Sequence, residues 1–376
     1  MSVKPKNPLN SIAISKFRSA PRQIAEQLRT EISAGRFAPG ARLPTAVELA
    51  AIWKVSTFTV HKAMTLLVTS GQLVRLRGTG TFVAENSAQL KNVALYYGHS
   101  FFSQSSGIEI YHLLNQALGR QLAAKNVTNQ VYIDSRAEGC LTSLPEALVQ
   151  AVESRKVQAI IAPMLTNRDA PLIQKLPIPT ALLSNRNFSN NIYFDFRQFF
   201  DVALTRLAEN GCRDVALIAA PSSRDEDTTH LPFLRYFLEL AAKKQLTIRD
   251  EWIHVPDRVL PNAEMESFGR KSFLRLWAQP QRPSGLIVYP DVLARGVVWA
   301  LNQKRVAVPQ ELHLVFHRNE GLRFACPYPA TWLTTNIEAL ASSLIHLIDL
   351  QMHEESIPPI CLPFGITQEK GDWDPS

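Results

Sequence analysis

The sequence predicts an α/β protein in two parts: a small basic N-terminal unit of three helices and a hairpin, and a larger domain built on parallel sheets. Three observations lead there. Over residues 22–83, apolar residues recur at helical spacing in three successive blocks and then flank a glycine-rich tip. From Asn92 onward, short β-rich apolar runs alternate with amphipathic helical stretches, the pattern of strands covered on both faces. Charge divides at the same place, with 12 Lys+Arg against 4 Asp+Glu in residues 1–90 and 28 against 29 in the remainder.

In the first block Ile24, Leu28 and Ile32 give a helix over residues 22–34 one buried stripe, and Gly35, Pro39 and Gly40 end it. Thr45, followed three residues later by Glu48, is a capping box opening a second helix that buries Leu49, Ala50 and Trp53. Ser56 caps a third helix with Val60, Ala63, Met64, Leu67 and Val68 on its apolar face. Its other face carries Thr57, Thr59, His61, Lys62 and Thr65. Such short or basic side chains suit the base edges and phosphates of a major groove, and Thr57, Phe58, Thr59 and His61 can read thymine methyls and purine edges. Residues 73–76 and 81–83 flank Arg77-Gly78-Thr79-Gly80, a hairpin whose slim tip can approach a sugar-phosphate backbone. The whole reads as a winged helix-turn-helix over residues 16–83. Its candidate DNA contacts are Thr45, Ser56, Thr57, Phe58, Thr59, His61, Lys62, Arg75, Arg77 and Thr79. A basic module beside a near-neutral one is the electrostatic footprint of a DNA binder carrying a sensor. Residues 1–15 read as a flexible arm and 84–91 as a polar linker.

In the second part, strands are expected at Asn92, Asn129, Val157, Pro179, Asp214 and Gly285. Helices are expected over residues 107–125, 144–155, 199–210, 233–244 and 265–277. In open sheets of this kind a ligand sits beyond the carboxyl ends of the strands. No stretch reaches the roughly 18 apolar residues of a membrane span. The N-terminus lacks an apolar signal core, and a cytoplasmic protein is expected. Cys140, Cys212, Cys326 and Cys361 have neither zinc spacing nor a disulfide framework. No HExxH, GxSxG, phosphate-binding GxxxxGK[ST] or dinucleotide GxGxxG motif occurs, so no catalytic site, metal or cofactor is expected.

Residues 22–83, with PGARLP, ELA, TVHKAM and GTGTFV, resemble the DNA-binding domain of the GntR family. Val47, Thr57 and Thr79, and often His61, stand where family members carry arginine, the side chain that grips guanine edges and phosphates bidentately. From Asn92, the phrases IYFDFRQFFDVALTRLAENGCRDVALIAAP, GLIVYPDVLARGVVWALNQKRVAVPQELHLVFHRNE and WLTTNIEALASSLIHLI, before a last strand at ICLPFGI, resemble the effector domain of LacI-type regulators. That resemblance implies a two-lobed periplasmic-binding-protein-like fold over residues 92–376, with lobes at about 92–194 plus 334–360 and 195–333. It also implies effector-binding positions at Tyr97, Ser103, Gln104, Ser184, Phe194, Asp291 and Arg318. Pro290, Arg318 and Phe233 depart from the family's sugar-binding asparagine, aspartate and arginine. Asp291 can cap its helix or touch a ligand, and Arg318 can hold an anionic effector or pair with an acid across the hinge. Trp252, Trp277, Trp299 and Trp332 can be core or a sugar-stacking face.

The resemblances together imply a ligand-responsive, DNA-binding transcriptional regulator: a homodimer on a double-stranded operator, most often a repressor, answering to a sugar or related metabolite and using no membrane partner. The alternative is a soluble small-molecule-binding module whose winged helix has lost specific DNA binding.

Overall fold

The computed structural model describes residues 20–369 apart from 70, 77–78, 85–89, 99–107, 137–141, 166–168, 185–187, 221–231, 259, 261, 323–324 and 353–357. The expected arm, most of the expected linker, and Arg77, Ser103 and Gln104 lie outside the described residues. The chain divides into two compact units, one centred on residues 1–91 and one on the chain from Asn92 onward.

The first unit contains α1 (Ala20–Ser33), α2 (Ala46–Trp53), α3 (Thr57–Thr69), β1 (Leu73–Leu76) and β2 (Gly80–Val83). The expected α1 stripe of Ile24, Leu28 and Ile32 is buried in one core with Leu49, Trp53, Val60, Met64 and Leu67. Each such side chain contributes about 1.5–3 kcal/mol on leaving water. Leu43, Leu73 and Val83 seal that core from the hairpin side. The capping box forms as expected, with Thr45 Oγ1 accepting from the Glu48 amide and the Glu48 carboxylate accepting from the Thr45 amide. α2 ends where Lys54 turns left-handed at φ 52°, and the next helix begins three residues later.

The second unit holds two six-stranded sheets. In the first, β13 (Ile360–Leu362), β7 (Asn191–Phe194), β6 (Thr180–Leu183), β5 (Ala159–Met164), β3 (Asn92–Tyr97) and β4 (Thr128–Ile133) lie side by side and pair in parallel. In the second, the order is β14 (Gly365–Glu369), β12 (Ala330–Thr335), β11 (His313–Asn319), β10 (Gly285–Tyr289), β8 (Val215–Ala219) and β9 (Ile253–His254), with only β14 antiparallel. β8 and β10 are buried along their whole length, as the unbroken apolar runs require. The connecting helices are α4 (Ile108–Ala124), α5 (Glu146–Glu153), α6 (Asp169–Gln174), α7 (Phe196–Glu209), α8 (Pro232–Lys243), α9 (Asn262–Trp277), α10 (Asp291–Lys304) and α11 (Ile337–Gln351).

The expected single last strand at ICLPFGI is in fact two. Pro363 has no amide to continue a ladder. The chain leaves its pairing with β7 at Leu362 and re-enters at Gly365 against Thr334 of the other sheet. Three connections therefore run between the sheets, at residues 194–196, 335–337 and 362–365. Close helix packing stiffens the second sheet's cover. A Cβ on Gly269 would overlap the Leu293 carbonyl oxygen, and one on Gly296 would overlap the Glu266 carbonyl oxygen and come 2.8 Å from the Arg270 amide. Only glycine lets α9 and α10 approach this closely.

Candidate nucleic-acid interface and ligand cleft

α3 presents one face to solvent. Val60, Ala63, Met64 and Leu67 are buried, while Thr57, His61, Lys62 and Thr65 are exposed and Phe58 keeps 67% of its surface. The polar groups on this face differ in availability. The Thr59 amide donates to Ser56 Oγ (3.1 Å) and the two hydroxyls pair at 2.7 Å, so Ser56 and Thr59 build the helix start. Thr65 Oγ1 donates to the His61 carbonyl at 2.8 Å. The Thr45 hydroxyl is likewise engaged by Glu48, whose carboxyl the Thr45 amide holds below its ordinary pKa. The Lys62 ammonium lies 4.9 Å from the centre of the Phe58 ring, one turn earlier on the same helix. Val47, on α2, is 68% exposed.

In the wing β1 pairs with β2 through Leu73↔Val83 and Leu76↔Gly80, and the Thr79 amide closes the turn on the Leu76 carbonyl at 3.0 Å. Arg75 and Thr79 are exposed. Sequence reasoning passed over Arg42. This exposed residue bridges to Phe82, and its Nε would stand 2.8 Å from a Cβ on Gly80, whose φ is 135°. Its position within PGARLP, close before the second helix, was the available signal.

The cleft residues come from strand ends of the second unit. Tyr97 is buried, and its hydroxyl donates to Asn115 on α4. It is thus a packing group, its neighbour Tyr96 pointing to the other side with its hydroxyl 3.5 Å from Asp134 Oδ2. Burial pushes both phenols up. Asp134 is 1% exposed and is clasped by Arg136, Nε to Oδ1 at 2.9 Å and Nη2 to Oδ2 at 2.7 Å. Asp169, at the start of α6, is equally hidden, and a Cβ on Gly98 would strike its carboxylate. Sequence reasoning missed Asp134, Arg136 and Asp169, since polar residues after a strand look like solvated loop. Ser184 is half-buried, with its carbonyl accepting from Asn191 Nδ2 at 2.8 Å.

Asp291 opens α10 in a buried setting, accepting from the Val292 amide (3.0 Å) and from Asn319 Nδ2 (3.2 Å). Burial raises its pKa. One turn on, Arg295 spans to Glu109 of α4 at 3.2 and 3.3 Å, tying a helix over one sheet to a helix over the other. Strand alternation puts Arg318 on the opposite face of β11 from His317 and Asn319. Its guanidinium lies 4.9 Å from the centre of a Trp332 ring and 3.5 Å from Thr367 Oγ1. The β11 side chain that meets Asp291 is therefore Asn319. Phe194 packs on Phe364 at 5.6 Å and, with Thr335, Asn336 and Leu362, lines a cavity of about 250 Å³ at the connections between the sheets. Beside it His317 is fully enclosed. Its Nε2 pairs with Thr335 Oγ1 at 2.9 Å, and the rings of Tyr289, Phe364 and Phe199 surround it at 4.7–6.4 Å. Trp252, Trp277 and Trp332 are core residues, while Trp299 is half exposed under the Arg270 guanidinium. Among the described residues no group of His, Cys, Asp and Glu could hold a metal ion, and no helix is long and apolar enough to cross a membrane.

Comparison with known proteins bears on both units. Residues 21–83 match the model of bacterial regulatory proteins of the gntR family. The N-terminal unit is a gntR-type helix-turn-helix domain. Beyond this gntR-type domain, residues 204–363 match a periplasmic binding protein-like domain. An uncharacterized HTH-type transcriptional regulator, YurK of Bacillus subtilis, is 37% identical over 90 residues, 24% of this chain and 37% of its own length. The HTH-type transcriptional repressor PurR of Proteus mirabilis is 30% identical over 113 residues, 30% of each chain. The chain thus spans about a third of the length of these curated relatives. A LacI family transcription regulator from Clostridium acetobutylicum superposes with a TM-score of 0.58 at 20% identity, over 74% of this chain and 98% of that one. The fold behind the gntR-type domain is that of LacI-family regulators.

Proposed function

We propose that this chain is a ligand-responsive transcriptional regulator, a repressor in which two protomers set two α3 helices into successive major grooves of a pseudo-palindromic operator. The observation that carries the reading is the open face of α3, with Thr57, Phe58, His61 and Lys62 on a helix whose other face is fully packed, in the basic part of the chain. The two-sheet domain supplies the sensor. Buried polar groups at its strand ends, Asp134, Asp169, Asp291 and Asn319, suit a small polar metabolite of the carbohydrate-related class, and the chain works in the cytoplasm. An effector alters DNA affinity only by binding the DNA-competent and incompetent states unequally.

Selection of genomic fragments with the purified protein is expected to return a short pseudo-palindrome. On that site His61→Ala and Lys62→Ala are each expected to weaken binding about tenfold while leaving the fold intact. Lys62→Ala also flattens the dependence of log K on log salt, by about 0.9 for each phosphate that the lysine no longer neutralises. Unchanged affinity in both variants would refute the assignment of α3. Only diffuse, salt-sensitive binding by the wild type would favour a binding module without an operator, a reading that rests on Val47, Thr57 and Thr79.

A further inference from the structure

We infer that the operator half-site is read through a thymine C5-methyl group, and that Phe58 is the side chain that reads it. The inference rests on the DNA-binding reading above and names what α3 selects. The DNA-facing surface of α3 has few hydrogen-bonding groups to offer. Ser56 and Thr59 are committed to each other and Thr65 to the helix backbone. That leaves Thr57, His61 and Lys62 as polar groups on this face; the Lys62 ammonium sits over the Phe58 ring, and neither Thr57 nor His61 is a bidentate fork of the kind that selects guanine. The largest exposed group is instead the phenyl ring of Phe58, on the first turn of α3, and Val47 repeats the choice of an exposed apolar side chain on the first turn of α2.

A phenyl ring entering a major groove loses its water whatever the sequence. Guanine, cytosine and adenine present polar edges there, so desolvating the ring against them yields nothing in return. Thymine alone carries an apolar group in that groove. The Lys62 ammonium over the ring fits the same pose, since a cation one turn along the helix reaches toward phosphate while its stem steadies the ring. The net positive charge of this part of the chain favours a polyanion over a second apolar protein surface as the occupant.

The test takes the operator recovered by fragment selection and replaces its thymines one symmetric pair at a time by deoxyuridine, which removes the methyl and nothing else. One pair is expected to weaken wild-type binding roughly 15-fold, about fourfold for each half-site, the transfer free energy of one buried carbon. Phe58→Ala should bind the thymine operator more weakly and treat thymine and uracil alike, with Phe58→Leu between the two. Circular dichroism checks that both variants keep the wild-type fold, as expected at so exposed a position. An operator that tolerates uracil throughout, or an equal uracil penalty in Phe58→Ala, overturns the inference and leaves the regulator reading intact. Failure to recover any operator overturns both. A Phe58→Ala variant that changes from dimer to monomer on sedimentation would assign the ring to a second copy of the chain and also overturn the inference.

Discussion

Replacing Gly296 by alanine is expected to lower the melting temperature of the parallel-sheet domain by roughly 10 °C. The added carbon would meet main chain: the Glu266 carbonyl oxygen and the Arg270 amide of the facing helix. A flexible side chain can swing aside at small cost, but a backbone carbonyl moves only with its helix. α9 and α10 must therefore separate, opening the core that contains Phe273, Leu276, Leu293 and Val297. Overpacking of this kind costs about 3 kcal/mol or more. Gly119, inside α4, provides the contrast. A Cβ there would touch only Asn129 Nδ2, at an ordinary 3.7 Å, and Gly119→Ala should stabilise by about 0.5–1 kcal/mol through the reduced freedom of the unfolded chain. Thermal melts of the two variants side by side decide the matter, and equal melting temperatures would show that α9 and α10 are not in contact at Gly296.

Acid should loosen the same domain through His317. Burial holds its imidazole neutral in the folded protein, with the pKa pushed down to about 3, whereas an unfolded chain takes up that proton near pH 6.5. Between those two values the unfolded state binds more protons, so stability falls as the pH drops, at up to about 1.4 kcal/mol per pH unit. His254, lowered by burial in the same direction, adds to the slope. Asp291, whose carboxyl burial raises, opposes it over the range just above an ordinary aspartate pKa. Urea unfolding at pH 7 and pH 5 should show the wild type losing about 2 kcal/mol more than His317→Gln, a variant that still offers Thr335 a hydrogen-bond partner. Parallel losses in the two proteins would remove His317 as the source.

Much of this architecture is legible along the chain. Ile24, Leu28 and Ile32, and the Thr45–Glu48 pair, announce α1 and the start of α2 because helix geometry brings residues four or three apart together, and the structure repeats both. The strands at Asn92, Val215 and Gly285 are continuous apolar runs, and they are buried. What escapes is adjacency set by the tertiary fold. Nothing local marks Asp134 as buried and clasped by Arg136, since its burial comes from the elements packed around the end of β4. The identity of the β11 residue facing Asp291 depends on which face of the strand is inward, and a one-residue difference in phase exchanges Arg318 for Asn319. The break at Pro363 is visible as a residue, but not its consequence that two different sheets claim the halves of one segment.

That shared segment governs the order in which the domain can be completed. β13 pairs with β7 across a sequence gap that contains every strand of the second sheet except β14. A nascent chain that has delivered residues 92–335 holds five strands of each sheet and the closing strand of neither. A single stretch, Ile360–Glu369, then adds the last strand to both. Closure over such long separations makes folding slow, because loop entropy is spent before the contacts form. The two lobes are thus finished late and together, and a chain stopped before Ile360 would leave β7 and β12, otherwise paired on both sides, as edge strands.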